Sequence, residues 1–341
     1  VIETRIQVVD REQPDPAVIA EAADVLKRGG LVAFPTETVY GLGADALNVD
    51  AVRKVFQAKG RPSDNPMIVH FSSHAQLAEL ADEISKKGMM LAETFWPGPL
   101  TLVVDRTILV SEVVTGGLET VAVRMPDHPV ALALIEALGS GIVGPSANLS
   151  TRPSPTTAIH VLEDLKGRIE LILDAGPSDI GIESTVVDVT VDPPQILRLG
   201  GLTAEMIESV IGEVQIGRDD DRLKRSPGTR YRHYAPRARV VLIDQCDRER
   251  LEVLIQQYRQ EGNQVGCIVH SGDLATVESS QFFHVLPSDT EFLARYLYRS
   301  LRELDQMKAD VILVEKVREE GLGATVMDRL RKAARSTPDD A

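Results

Sequence analysis

Five short segments hold side chains suited to gripping a polyanion. In KGRPSDNPMIVH, residues 59–70, Lys59 and Arg61 flank Gly60, and Pro62 and Pro66 force a stiff, extended path. Arg offers a planar fork for two oxygens and Lys a compact point charge, while Asn65 and His70 add neutral polar groups. A cation at a helix end is also favoured by the helix dipole alone, and a histidine ending an apolar run also suits a plain core. In GPSAN, residues 144–148, Ser146 and Asn148 stand two apart and present donors on one side of an extended segment. PTETVYGLG, residues 35–43, places Thr36, Glu37 and Thr38 after an apolar run, which reads as a turn with its hydroxyls bonded to local backbone. Arg124 ends TVAVR, Ser184 opens a strand, and Arg198 closes the next strand before two glycines. Ser154-Pro155 reads as a helix N-cap with proline at the first helical position, a place that also suits phosphate.

The remaining composition narrows the chemistry. There is no GxxxxGK[ST] phosphate loop and no GxSxG elbow, and residues 239–341 carry no GxGxxG fingerprint. The seven histidines are scattered, and the two cysteines, Cys246 and Cys267, are too few for a four-cysteine zinc site or a disulfide framework. They fit a reducing, cytoplasmic setting, and the first residues lack the apolar core of a secretion signal. No run of about 20 apolar residues suggests a membrane span. A net charge of −14 argues against a general nucleic-acid coat, and 4% aromatic residues argue against a stacking platform. An anionic ligand must therefore meet local cations, and Lys59, Arg61, Arg124 and Arg198 are the candidates.

Hydrophobic spacing supplies the elements that position them. Helices are expected at 16–28, 50–59, 74–91, 129–138, 156–165 and 203–211. Strands are expected at 31–34, 66–71, 100–105, 121–125, 142–144, 169–174, 185–191 and 195–199. These give a mixed α/β domain over 1–215. Residues 216–238 read as a basic linker: from Arg222 to Arg239 there are seven Lys or Arg and no Asp or Glu. Residues 239–341 alternate strand and helix, as a smaller three-layer α/β domain would.

Taken in order, PTETVYGLG, KGRP with DNPMIVH, TVAVRMP, PSAN and ESTVVD with LRLG closely resemble the YrdC-like fold of threonylcarbamoyl-AMP synthases. SPGTRYRHYAP, residues 226–236, followed by a small α/β domain, resembles the long, two-domain branch of that family. The resemblance implies a twisted open sheet with helices. It also implies synthesis of L-threonylcarbamoyl-adenylate from L-threonine, bicarbonate and ATP, with release of pyrophosphate, for threonylcarbamoyladenosine modification of tRNA. The family's Lys-Arg-Ser-Asn tetrad falls on Lys59, Arg61, Ser146 and Asn148. Thr38, His70, Arg124 and Ser184 would lie near threonine and bicarbonate. Arg61, Asn65, Thr120, Ser146, Ser154, Arg198 and Tyr234 would lie near ATP, whose phosphates would carry Mg2+ without a protein cage. The linker would fold over the active site. The product would pass to a tRNA threonylcarbamoyl transferase, with weak tRNA contact through the linker's cations.

Two rivals stay open on sequence. A hydrogenase-maturation carbamoyltransferase contains a similar domain but is far longer and carries zinc-finger cysteines. A double-stranded RNA-binding module would use the fold's basic concave face, against which the net charge of −14 weighs.

Overall fold

The computed structural model describes residues 2–217, 225–226, 234–244, 248–270 and 282–335. It divides into two compact units, Val1–Ser150 with Ser154–Tyr231, and Thr151–Pro153 with Arg232–Ala341.

The first unit begins β1 (Arg5–Val8), α1 (Pro16–Lys27), β2 (Val32–Phe34), β3 (Gly41–Asp45), α2 (Val49–Lys59), β4 (Ile68–His70), α3 (His74–Leu80) and α4 (Lys86–Phe95). It continues through β5 (Leu100–Asp105), α5 (Glu112–Thr115), β6 (Thr120–Arg124), α6 (Pro129–Leu138), β7 (Ile142–Val143) and α7 (Ala158–Leu165). It closes with β8 (Leu171–Asp174), β9 (Thr185–Asp188), β10 (Gln195–Arg198), α8 (Ala204–Ile211) and β11 (Gln215–Ile216). The strands form one mixed sheet in the order β1-β8-β2-β3-β7-β4-β6-β5-β9-β10-β11.

The period of two along a strand decides which core each residue joins. Val32 and Phe34 of β2, with Leu171 and Leu173 of β8, join the apolar faces of α1 and α6. Leu31, Ala33 and Ile172 point the other way, into the larger cluster with α2, α4 and α7. Each fully buried Leu, Ile, Val or Phe contributes about 1.5–3 kcal/mol. That burial, on both faces, fixes the strand ends from which the polar segments emerge.

Several expectations are corrected. The single helix at 74–91 is two: Ala81 leaves the helix to bridge Arg106, and Ser85 caps α4 by accepting from Gly88 N. Of residues 35–43, expected to be a turn, the last three belong to strand β3, where the Phe34 ring covers Gly41 and Gly43 and side chains would clash. Ser154 is not a helix cap. The cap of α7 is Thr157, whose hydroxyl accepts from His160 N at 3.4 Å.

The second unit contains β12 (Arg239–Ile243), α9 (Arg248–Gln260), β13 (Val265–Val269), β14 (Phe282–Val285), α10 (Thr290–Gln306), β15 (Val311–Glu315) and α11 (Leu322–Ala334). Its strands are all parallel, in the order β12-β15-β13-β14. Parallel neighbours need crossover connections, which the helices supply.

Candidate active site

Lys59 is the last residue of α2, a helix capped by Asn48 at its start and stopped by Gly60 in the left-handed conformation at φ 62°. The lysine does not serve its own helix end. It is buried, and its ammonium donates to the carbonyl oxygens of Ser146 and Asn148, the latter at 2.7 Å, and to Asn148 Oδ1 at 3.4 Å. Ser150 N returns a bond to the Lys59 carbonyl at 2.9 Å. The same loop is fastened to the β3 segment, with Leu42 N on Pro145 O and Ala147 N on Tyr40 O. Lys59, Ser146 and Asn148 thus meet although about 90 residues separate them in sequence.

Arg61 turns along its own loop and donates to Pro66 O at 2.8 Å. Beside it Asn65 is buried, with both amide atoms lacking a hydrogen-bond partner. A buried primary amide left unsatisfied is costly.

Thr38 and Arg124 form a second cluster. Arg124 ends β6 and donates Nη1 to Thr38 Oγ1 at 2.9 Å and Nε to Gly98 O at 3.2 Å. Its Nη2 lies 2.6 Å from Glu37 Oε1, both side chains being buried. That contact lacks hydrogen-bond alignment, so Glu37's oxygens and Arg124 Nη2 have no directed partner. The Thr36-Glu37-Thr38 turn is held by Thr36 Oγ1 donating to Val39 O, and by Ile180 N and Gly181 N donating to the Glu37 and Thr38 carbonyls. His70 pairs in register with Arg124 on the neighbouring strand. Burial and then the nearby Arg124 charge hold its imidazole well below its usual pKa, so it is neutral. Gly144 leaves room for that ring: a Cβ there would stand 2.6 Å from His70 Nδ1.

A third cluster joins Ser184, Arg198 and Ser154. Arg198 Nη2 donates to the Ser184 carbonyl at 2.9 Å and to its hydroxyl at 3.1 Å, and that hydroxyl also meets Thr101 Oγ1 at 2.7 Å. Ser154 Oγ donates to the buried Glu183 carboxylate at 2.5 Å. Gly200 runs so close to the Ser184–Thr185 peptide that a side chain there would overlap it.

Two predicted residues are not tied to these clusters. Thr120 opens β6 opposite Asp105, and its hydroxyl bonds none of the other site residues. Tyr234 belongs to the second unit, where it stacks on Tyr298 with ring centres 5.5 Å apart and the Arg329 guanidinium 5.0 Å from its own. Most of the linker, 218–224 and 227–233, lies outside the described residues.

The sequence reading assigned no role to Glu37, Glu183 or Thr101. A signal was present for the first two: each is an acidic residue directly before a candidate hydroxyl, in a segment otherwise too apolar to be exposed. Thr101 is lost inside the apolar run of β5 and left no such mark. No group of three or more His, Cys, Asp or Glu able to hold a metal occurs among the described residues. His70 and His74 have ligand-like spacing, but one ends β4 and the other opens α3.

Residues 24–200 match the family described as "Telomere recombination", and residues 202–335 match "Threonylcarbamoyl-AMP synthase, C-terminal domain". The chain is 50% identical over 332 residues to the threonylcarbamoyl-AMP synthase of Pyrococcus abyssi, covering 95% of this chain and 96% of that protein. The chain belongs to the threonylcarbamoyl-AMP synthase family. The Bacillus subtilis threonylcarbamoyl-AMP synthase is 46% identical over 335 residues, covering 96% of each. The crystal structure of P. abyssi Sua5 complexed with L-threonine has a TM-score of 0.89 and 48% identity, covering 98% of both chains. Both parts of this synthase-family chain, and not the first alone, are therefore shared with full-length relatives. Among the described residues no helix is long and apolar enough to cross a membrane.

Proposed function

We infer that the protein is a nucleotidyltransferase that makes L-threonylcarbamoyl-adenylate from L-threonine, bicarbonate and ATP, releasing pyrophosphate, for threonylcarbamoyladenosine modification of tRNA. The observation that carries this reading is the convergence of Lys59 on Ser146 and Asn148, with Arg61 and the unpartnered Asn65 amide on the adjoining loop. The reaction joins three anionic partners. The threonine amine attacks the bicarbonate carbon, water leaves and a carbamate forms. A carbamate oxygen then attacks the α-phosphorus, and pyrophosphate departs with the P–O bonding pair. No step needs a protein nucleophile, so catalysis rests on positioning and charge stabilisation.

The roles we propose are those that the family resemblance implies. Lys59, Arg61, Ser146 and Asn148 hold the carbamate and phosphates as charge develops. Thr38, neutral His70, Arg124 and Ser184 seat threonine and bicarbonate. Asn65, Thr120, Ser154 and Arg198, with Arg61 and Ser146, take ATP. Magnesium arrives with ATP as part of the substrate, bound through phosphate oxygens. We further propose that the basic segment 216–238, with Tyr234, closes over the nucleotide. We propose also that the product is handed in the cytoplasm to a tRNA threonylcarbamoyl transferase, with weak tRNA contact. The test is isotopic. With labelled bicarbonate, threonine and ATP, the label should appear in an adenylate whose mass is AMP plus threonine plus carbon dioxide, less one water. An adenylate without label would overturn the reading.

A further inference from the structure

Proteins place a buried carboxylate next to a buried guanidinium at a cost, because both ions lose water. That cost is offset only when each remaining lone pair and N–H finds a partner. The Glu37–Arg124 pair does not meet this condition alone. Both Glu37 oxygens and Arg124 Nη2 are buried without an aligned hydrogen bond, though Oε1 and Nη2 stand 2.6 Å apart. The guanidinium's other two nitrogens are each already engaged, Nη1 on the Thr38 hydroxyl and Nε on Gly98 O. The backbone of the turn carrying Glu37 and Thr38 is pinned by Ile180 N and Gly181 N, which fixes where the Glu37 side chain starts. Other charges nearby do not complete the pair. Arg11 is engaged with Asp179, and Asp127 carries the same sign as Glu37. His70, in register with Arg124, is neutral and brings no competing cation.

A fixed positive group and a fixed negative group, adjacent and both short of hydrogen bonds, match a ligand with the opposite arrangement. We propose that Glu37 receives the α-ammonium of the amino-acid substrate, so that the subsite reads a zwitterion, carboxylate to Arg124 and ammonium to Glu37. This rests on the reading of threonine as substrate. It adds a binding residue and a selection rule: a 3-hydroxy acid without an amino group is excluded, because its binding leaves Glu37 buried and unpaired. The rule also favours release. Before the attack the ammonium passes one proton to the Glu37 carboxylate, which frees the nitrogen lone pair; once the nitrogen carries the carbamate it is no longer cationic, and Glu37 loses its partner.

The test is calorimetric titration of the full chain with L-threonine and with 3-hydroxybutanoate, which is threonine without its amino group. The wild type should prefer threonine by roughly tenfold to a hundredfold, the range for a hydrogen bond between charged groups. Glu37→Gln should weaken threonine by that factor and leave 3-hydroxybutanoate within about threefold, erasing the preference. Equal affinity of the wild type for the two ligands would overturn the proposal. So would a Glu37→Gln protein that keeps the preference, or one that loses both ligands alike, which is what a purely structural partner of Arg124 would give. Should Glu37→Gln fail to fold, the wild-type ligand pair still decides. A wild type that binds no threonine at all would instead sink the functional reading, and this inference with it.

Discussion

At the scale of single residues, the site is a set of cations whose hydrogen bonds fix their direction before any ligand arrives. Lys59 spans to the Ser146 and Asn148 carbonyls, so it is both an anchor of that loop and a source of charge. Its removal therefore mixes structural and chemical losses. Arg61 separates them better, because the hydrogen bonds described for it go to backbone carbonyls of its own short loop and not to the Ser146–Asn148 loop. Arg61→Ala should lower pyrophosphate release roughly a hundredfold to a thousandfold, the loss typical of a donor acting on developing charge. Its melting point should move little, since a helix-end cation is worth only about 0.3–1 kcal/mol. Arg61→Lys should not restore full turnover, because a point charge cannot copy a planar fork. Near-normal release in Arg61→Ala, beside a lowered melting point, would show that Arg61 is only a helix-end cation.

At the scale of elements, strand ends do the positioning, and here the sequence was most and least legible. The long apolar runs of β5 and β6 and the periodic helices α1, α2 and α6 stood out because burial of their faces leaves a regular pattern. Strand β3 did not: Gly41 and Gly43 look like turn residues, and only the Phe34 ring packed over them explains a strand there. Lys59 and Arg61 were readable as a cationic loop, but the meeting of Lys59 with Ser146 depends on pairing between distant strands, which no local pattern records. Gly200 illustrates that long-range constraint. Gly200→Ala would drive a methyl into the Ser184–Thr185 peptide, and overpacking of this kind costs about 1–3 kcal/mol. Its melting point should fall and threonine binding weaken with it; an unchanged melting point would contradict the packing shown. His128 caps α6 without a side-chain bond, and burial, reinforced by Arg11, pushes its pKa down to about 4. The unfolded chain takes up that proton near its ordinary value of 6.5, before the folded chain does, so acid favours unfolding between those two values. His128's contribution is complete above that window and lost as pH falls through it. His128→Asn should flatten the fall in melting temperature across it, and equal slopes would argue against a neutral buried His128.

At the scale of the whole molecule, a chain with net charge −14 still carries local cations in the 59–61 loop, at the ends of β6 and β10, and in the basic segment between the domains. The proposed role of that segment is to exclude water from a labile mixed anhydride. The first unit has its own two-sided core, so a chain ending after Gly217, which keeps β11, should melt cooperatively yet release little pyrophosphate. Full turnover by that shortened chain would remove the closing segment from the account. The central claim is tested most directly by pyrophosphate release from the full chain with each substrate left out in turn. The account predicts release only when ATP, L-threonine and bicarbonate are all present. Release that persists without threonine, or without bicarbonate, would contradict it.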